Sequence, residues 1–385
     1  MNLPSNERKN IGIITFTGAC NYGAVLQAYA LQQVLARYSK APVTVPLYYP
    51  DCFLERYSLY PAQEWKTEML LHGHVKTWLK HAYVMFVKSR RNAAFRRFLN
   101  KKMGVGKPCY SVDELERSTQ HIDTWVTGSD QVWSPTCAHF DPVFFLDFKV
   151  KEGSRKFSYA ASFGNITEAP AECRAEMCRR LEGYAAYSVR EQAGADIVKK
   201  LTGREALVHC DPSLLLTAEE WERVASPARR KTPFILVYHV GSPESVLQEA
   251  ADLSKQTGLP IVVLSSYFLW SNLRGNLQKA YGYKHAMYSS PTDFIALFRD
   301  ARYVVTNSFH GTAFSLLFHK DFYTEIVNPA GKRNVRAVNL LETVGIMPGR
   351  RLDDPIPINW EQVDARLHEL RLNSFHYLQH TVCGQ

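Results

Sequence analysis

Short apolar runs, each followed by a turn of small residues and then by an amphipathic stretch, recur along the chain, and this alternation predicts strands and helices in regular succession. Residues 11–16 read as a buried strand, residues 17–23 as a loop of small residues, and the stretch from about 24 to 37 as a helix. Residues 42–49 read as a second strand, which makes the opening a βαβ unit. Strands running into glycine or polar turns are expected at 124–130, 156–164 and 185–191, with a helix from Gln192, and Pro212 stops a further strand at 206–211. Such alternation implies a parallel, doubly wound sheet.

A charged, proline-containing stretch at 226–233 separates this half from a fresh series. Strands are predicted at 234–239, 261–264, 303–306 and 322–327, helices at 246–257 and 291–300, and a helical tail at 359–380. The expected organisation is an N-terminal Rossmann-like domain (1–225) with a basic helical insertion (about 52–105), and a C-terminal Rossmann-like domain (232–358). A last helix (359–385) is expected to pack back on the first domain. No internal repeat or low-complexity tract interrupts the pattern.

Composition narrows the class. With 46% hydrophobic and 22% charged residues in 385, the chain is globular, which sets aside disordered and fibrous classes. No apolar run approaches the roughly 18 residues that a membrane span needs, and residues 11–16 are too short and badly placed for a signal-peptide core, so the cytoplasm is the expected location. The eight cysteines are scattered without a C-x-x-C pair and are expected to be reduced and mostly buried. No histidine or cysteine spacing suits a metal, and none is expected. The formal charge of +9 favours an acidic partner. Between Lys66 and Lys102 ten Lys/Arg residues face a single acid, Glu68, with Trp78, Tyr83, Phe86, Phe95 and Phe98 interleaved at helical spacing. A pair of basic amphipathic helices fits this stretch. Charge runs usually form a solvated face over a core stripe, and contact with an anionic membrane is the functional alternative. Nucleic-acid readout has no motif behind it.

The candidate chemistry lies at strand ends. His310 sits in the segment Thr306-Asn307-Ser308-Phe309-His310-Gly311-Thr312, between an apolar run and a helix expected near Thr312. Ligands of open α/β sheets collect at such positions, which makes His310 a candidate acid or base, with Asn307, Ser308 and Gly311 as its binding surroundings. Arg190 offers a planar fork for a carboxylate or phosphate, the bland alternative being a pair with Glu191. Asp130, after the turn at Gly128 and Ser129, is placed to accept from a substrate hydroxyl or orient His310, or merely to cap the next segment. Asn21, Tyr22 and Gly23 open a helix whose backbone N–H groups suit an anion, although a plain turn and cap would look the same.

Several of these segments together resemble the polysaccharide pyruvyl transferase family. They are Asn21-Tyr22-Gly23-Ala24-Val25-Leu26-Gln27, Gly128-Ser129-Asp130-Gln131-Val132-Trp133, Tyr159-Ala160-Ala161-Ser162-Phe163-Gly164, Ser188-Val189-Arg190-Glu191, Asp211-Pro212-Ser213-Leu214-Leu215 and Ser308-Phe309-His310-Gly311. The resemblance implies an α/β fold of two Rossmann-like domains facing a cleft, similar to the GT-B glycosyltransferases. It also implies phosphoenolpyruvate as donor substrate, no separate cofactor, and a carbohydrate acceptor in a surface polysaccharide or its lipid-linked precursor. The family's arginine in S-x-R-[DE] falls on Arg190 and its histidine before glycine on His310. One departure matters: the pattern S-R-x-H-G has arginine where Ser308 stands. Lys332, Arg333 and Arg336, in a Gly/Asn-rich loop, are the candidates to replace that charge. A glycosyltransferase with a nucleotide-sugar donor and a non-catalytic carbohydrate-binding relative are the competing readings of the same scaffold.

Overall fold

The computed structural model describes residues 9–39, 41–51, 75–228, 232–265, 275–327, 331, 334–354 and 356–384. In chain order the first half supplies β1 (Ile11–Ile14), β2 (Val43–Thr44), β3 (Leu47–Tyr48), β4 (Pro108–Cys109), β5 (Thr124–Thr127), β6 (Arg155–Ser158), β7 (Tyr184–Val189) and β8 (Ala206–Val208). Six of these form one parallel sheet in the order β2-β1-β5-β6-β7-β8, while β3 and β4 pair only with each other. The second half supplies β9 (Ile235–His239), β10 (Ile261–Ser265), β11 (Lys284–His285), β12 (Tyr303–Thr306) and β13 (Asp321–Thr324). These make a second parallel sheet in the order β11-β10-β9-β12-β13. Helices cover both faces, so β1, β5, β9 and β10 are buried along their whole length and mostly apolar, as parallel strands usually are. Gly12 lies opposite Trp125 in the β1–β5 register, and a Cβ there would come within 2.7 Å of the indole, so the glycine makes room for the ring.

The strand order reverses beside β1 and beside β9, whose neighbours on either side are reached in opposite directions. Loops leaving the carboxyl ends of adjacent strands diverge there and leave a crevice, the usual ligand position in such sheets. The helix Tyr22–Tyr38 starts at the first of these points. Asn21 caps it, its side chain accepting from the N–H of Ala24, and the helix is buried almost all round because it lies between the two sheets. From the second sheet's side, Phe294 of the helix Pro291–Asp300 stacks on Tyr22 with centroids 5.2 Å apart. The last helix, Trp360–His376, continues as a wider turn over Tyr377–Val382 and crosses back to the first sheet. There Tyr377 donates to the Ser158 carbonyl at 2.9 Å and Arg371 to the Leu214 carbonyl at 2.7 Å.

Three local expectations change, and a fourth, in the basic region, is described only in part. The strand expected over 42–49 is divided into β2 and β3 around Pro46, which lacks the N–H that a continuous ladder needs. The described part of the basic region is one long helix, Val75–Phe98, ending in a wide turn at Leu99–Met103; the stretch before residue 75, where the other helix of the expected pair would fall, lies outside the described residues. The strand expected at 322–327 is β13 and ends at Thr324, after which the Glu325 N–H bonds the Thr306 carbonyl. The helix after β12 is Phe309–Leu317 rather than one starting near Thr312, so His310 lies in its first turn, not in the loop before it.

Seven described cysteines are free thiols, of which only Cys109 and Cys210 are buried. Among the described residues no His/Cys/Asp/Glu group could hold a metal ion, and no helix is long and apolar enough to cross a membrane.

Candidate active site

Asp211 is the hub. It follows β8, and its Oδ1 accepts from the N–H and Oγ–H of Ser213 at 2.9 and 2.7 Å, capping the turn Pro212–Leu214. That leaves Oδ2 for Nη1 of Arg190 at 2.8 Å and for the Ser129 hydroxyl at 3.2 Å. Arg190 stands one residue beyond β7, its side chain only 4% exposed and its guanidinium 4.8 Å from the Phe309 ring centroid. From the second sheet, Nε2 of His310 comes within 3.7 Å of Asp211 Oδ1. An arginine and a histidine from opposite domains thus converge on one buried carboxylate.

The charges settle one another. Burial alone would push the Asp211 carboxyl up, but His310, Arg190 and the Ser213 hydrogen bonds more than cancel that and hold it below the usual range. For Arg190 burial works against the charge, and Asp211, Glu191 and Asp130 outweigh it. Burial lowers His310 below the ordinary histidine value despite Asp211 and Asp130, with Arg190 and Arg336 adding to the effect, so at neutral pH the ring is an uncharged base. Burial pushes Glu191 up; its Oε1 accepts from the Phe163 N–H and its Oε2 lies 3.8 Å from Arg190 Nε.

A pocket of about 90 Å3 opens here, lined among others by Arg190, Glu191, His209, Asp211, Phe309 and Arg336. Arg336 comes from the helix Val335–Thr343, and Gln131, with its amide oxygen turned toward the guanidinium, accepts from both terminal nitrogens at 3.1 and 3.2 Å. Arg190 Nε and Nη2, Arg336 Nε, Glu191 Oε2 and His310 Nε2 are all shut off from water with no hydrogen-bond partner among the described residues. Buried polar atoms are nearly always satisfied, so such a concentration marks a place where a ligand completes the set. Three of the orphans belong to guanidinium groups, which an anion would satisfy.

The remaining candidates divide by role. Gly23 touches the centre directly: a Cβ there would stand 2.1 Å from His310 Nδ1, so the glycine lets the imidazole rest on the start of the helix Tyr22–Tyr38. Gly128, at φ 115°, presses against the Tyr159 carbonyl, which a Cβ would meet at 2.2 Å, and so directs Ser129 toward Asp211. Asp130 is nearly buried, and its Oδ1 accepts from the Gln131 N–H at 2.9 Å; the carboxylate that faces His310 is Asp211 instead. Ser308 is buried at the cap of its helix without a side-chain capping bond. Asn21 serves as a cap, and Tyr22 is enclosed between the domains with its hydroxyl donating to the Ser289 carbonyl. Asn307 ties the ends of β9 and β12 together, accepting from the Val240 N–H and donating to the Val240 carbonyl. Gly311 is required by packing, since a Cβ would lie 2.1 Å from Thr306 Oγ1. Lys332 and Arg333 lie outside the described residues.

Sequence reasoning missed Asp211 as a site residue, although it stands in a quoted segment, because a carboxylate before proline reads first as a strand stop and a turn cap. It is the turn cap, and beyond that its Oδ1 faces His310 while its Oδ2 holds Arg190 and Ser129. Gln131 had no signal, as one amide among many polar turn residues.

Two doubly wound parallel sheets, with a cationic pocket between the segments that follow β7 and β8 of one and β12 of the other, define a GT-B-type α/β fold. Among solved structures the chain is similar to S. aureus MnaA in complex with UDP (TM-score 0.50, 11% identity, covering 98% of this chain and 91% of that one). It is similar in the same degree to a protein from Listeria monocytogenes described as a UDP-N-acetylglucosamine 2-epimerase (TM-score 0.50, 10% identity, 98% and 91% covered). At these identities the likeness is one of fold. Among curated protein sequences none matches the chain. The sequence profile of the polysaccharide pyruvyl transferases matches residues 21–324, and the chain belongs to that family.

Proposed function

We propose that this protein transfers a pyruvyl group from phosphoenolpyruvate to two hydroxyls of a sugar in a surface polysaccharide, or in its lipid-linked precursor, forming a pyruvate ketal. The observation that carries the reading is the set of unpartnered guanidinium nitrogens of Arg190 and Arg336 beside a neutral imidazole. A small donor with a carboxylate and a phosphate would satisfy both arginines, and Arg336 then does the work of the cation that Ser308 lacks.

The chemistry asks little more of the chain. His310 takes the proton of the first attacking hydroxyl and delivers it to the methylene carbon of the donor. As one C–O bond forms at C2 and a C–H bond forms at C3, the imidazolium is paired with Asp211 3.7 Å away. The second hydroxyl forms the other C–O bond as the C2–O bond to phosphate breaks, and its proton leaves with the phosphate. Asp211 also holds Arg190 in place. Each group then acts from its resting charge state.

The test is incubation with phosphoenolpyruvate and candidate saccharides, following phosphate release and the new ketal methyl signal by NMR. Calorimetric titration with phosphoenolpyruvate accompanies it. The expected result is saccharide-dependent phosphate release, with donor affinity reduced ~10- to 100-fold in Arg190→Ala, the range for losing hydrogen bonds to a charged group. Release of nucleotide from a nucleotide-sugar, with no binding of phosphoenolpyruvate, would replace this reading by a glycosyltransferase.

A further inference from the structure

The helix Val75–Phe98 has two faces of different character. Val87, Arg91, Phe95 and Phe98, at spacings of four and three, are buried against the molecule, with Phe95 packed on Tyr22 at 5.0 Å. Tyr83, Phe86, Arg90, Ala93 and Arg97 lie on an outer stripe at spacings of three and four, all of them exposed. Lys101 and Lys102 prolong it in the turn Leu99–Met103, and Arg96 flanks it. Arg90, Arg97, Lys101 and Lys102 form no ion pair among the described residues. The sequence explains why: no Asp or Glu occurs between Glu68 and Asp113, while ten Lys/Arg do. Ion pairing along the helix is therefore impossible, and among the described residues these four cations meet no carboxylate.

The other end of the stripe is apolar. Tyr83, Phe86 and Tyr288 are 40%, 52% and 44% exposed, with Tyr288 contributed by the other domain. Phe86 and Tyr288 pack with ring centroids 6.4 Å apart and planes at 75°. The Arg90 guanidinium lies 5.6 Å from the Phe86 ring centroid, and rings crossed at this angle form no common platform for sugars or bases to stack on. Exposed aromatics beside unpaired cations are the composition of a helix lying in a lipid headgroup layer, with the rings at the acyl boundary and the cations among anionic headgroups.

We infer that the outer face of this helix, with Tyr288, docks the protein on an anionic lipid surface. The inference is independent of the donor assignment, because neither its argument nor its test uses phosphoenolpyruvate. The experiment is co-sedimentation with vesicles of phosphatidylcholine alone and of two parts phosphatidylcholine to one part phosphatidylglycerol, at low and at high salt. The wild-type protein is expected to sediment with the anionic vesicles, to stay in solution with the neutral ones, and to be released by salt. At ~5-fold per cation, R90A/R97A should weaken the partition by about 25-fold. Phe86→Ala should weaken binding to anionic vesicles without altering its dependence on salt, and circular dichroism of each variant confirms that the fold is kept. Equal binding to both vesicle types, or unaltered binding by the double variant, overturns the proposal. Retention on dextran sulfate with no binding to any vesicle would make the stripe a polysaccharide surface instead.

Discussion

Arg190 commits one terminal nitrogen to Asp211 and keeps Nε and Nη2 free of any described hydrogen-bond partner, and no other side chain could do both from the same position. A lysine would restore the ion pair as a point charge but would present no fork to a ligand. Arg190→Lys is therefore expected to keep the fold and lose phosphoenolpyruvate affinity by ~10-fold or more, read by calorimetric titration. Arg190→Ala leaves the Asp211 carboxylate buried and uncompensated, and should in addition cost about 3–5 kcal/mol in urea denaturation. His310 makes a separate prediction through pH. Its ring is the base when neutral, and burial holds its pKa below the ordinary value, so kcat/KM should be level through neutrality and fall only as pH drops through that lowered value. Asp211 acts on the ring in the opposite sense to burial, so Asp211→Asn should move this acid limb to still lower pH, while Arg190 keeps an oxygen to donate to. A limb that stays in place, or moves up, would mean that another group carries the proton.

Two helix starts meet at the centre, and their contact is the part of the site that elements rather than residues decide. The helix Phe309–Leu317 brings His310 down in its first turn, and the helix Tyr22–Tyr38 receives the ring because Gly23 has no side chain. Gly23→Ala should displace the imidazole, lowering kcat by at least ~10-fold while costing only about 1–3 kcal/mol of stability, as overpacking does. A variant with full activity would show that the ring need not rest there. The same geometry explains what the sequence disclosed and what it concealed. Strands β9, β10 and β12 were legible because continuous apolar runs between turn signals leave little choice, and the Asp211, Arg190 and His310 segments were all visible as strand ends. What could not be read was where a helix begins within such a segment. Phe309 and His310 suit a loop or a first turn equally well, and the burial of Phe309 against Arg190 decides between them. Asn21, Tyr22 and Asn307 had the composition of a binding loop for the same reason: caps, ties between loops and ligand contacts all use short polar groups and aromatics. The split at Pro46 depended on β3 finding a partner in β4 about sixty residues later, a pairing without local signal.

The whole molecule is tied together more closely than its two sheets suggest. One apolar cluster runs from Ile13 and Tyr22 through Trp221 to Leu236, Phe294 and Phe314, taking in residues of both sheets. Trp221 bridges them, with Tyr29 at 5.8 Å on one side and Phe314 at 5.1 Å on the other. The last helix adds a second tie, for the Tyr377 ring lies 4.7 Å from that of His209 and its hydroxyl donates to a β6 carbonyl, although the helix follows the second sheet in the chain. Domains joined only by a linker unfold separately, whereas a core shared between them cannot be lost by halves. Calorimetry at neutral pH should therefore show a single transition whose calorimetric and van't Hoff enthalpies agree. Tyr377→Ala removes a ring that is 2% exposed and should cost about 3–5 kcal/mol, shifting that transition down without splitting it. Were two transitions to appear in the variant but not in the wild type, the last helix would be the principal tie between the lobes. Two in the wild type would reduce the shared cluster to a contact surface, and the convergence of His310 and Arg190 on Asp211 would then depend on how the lobes happen to meet.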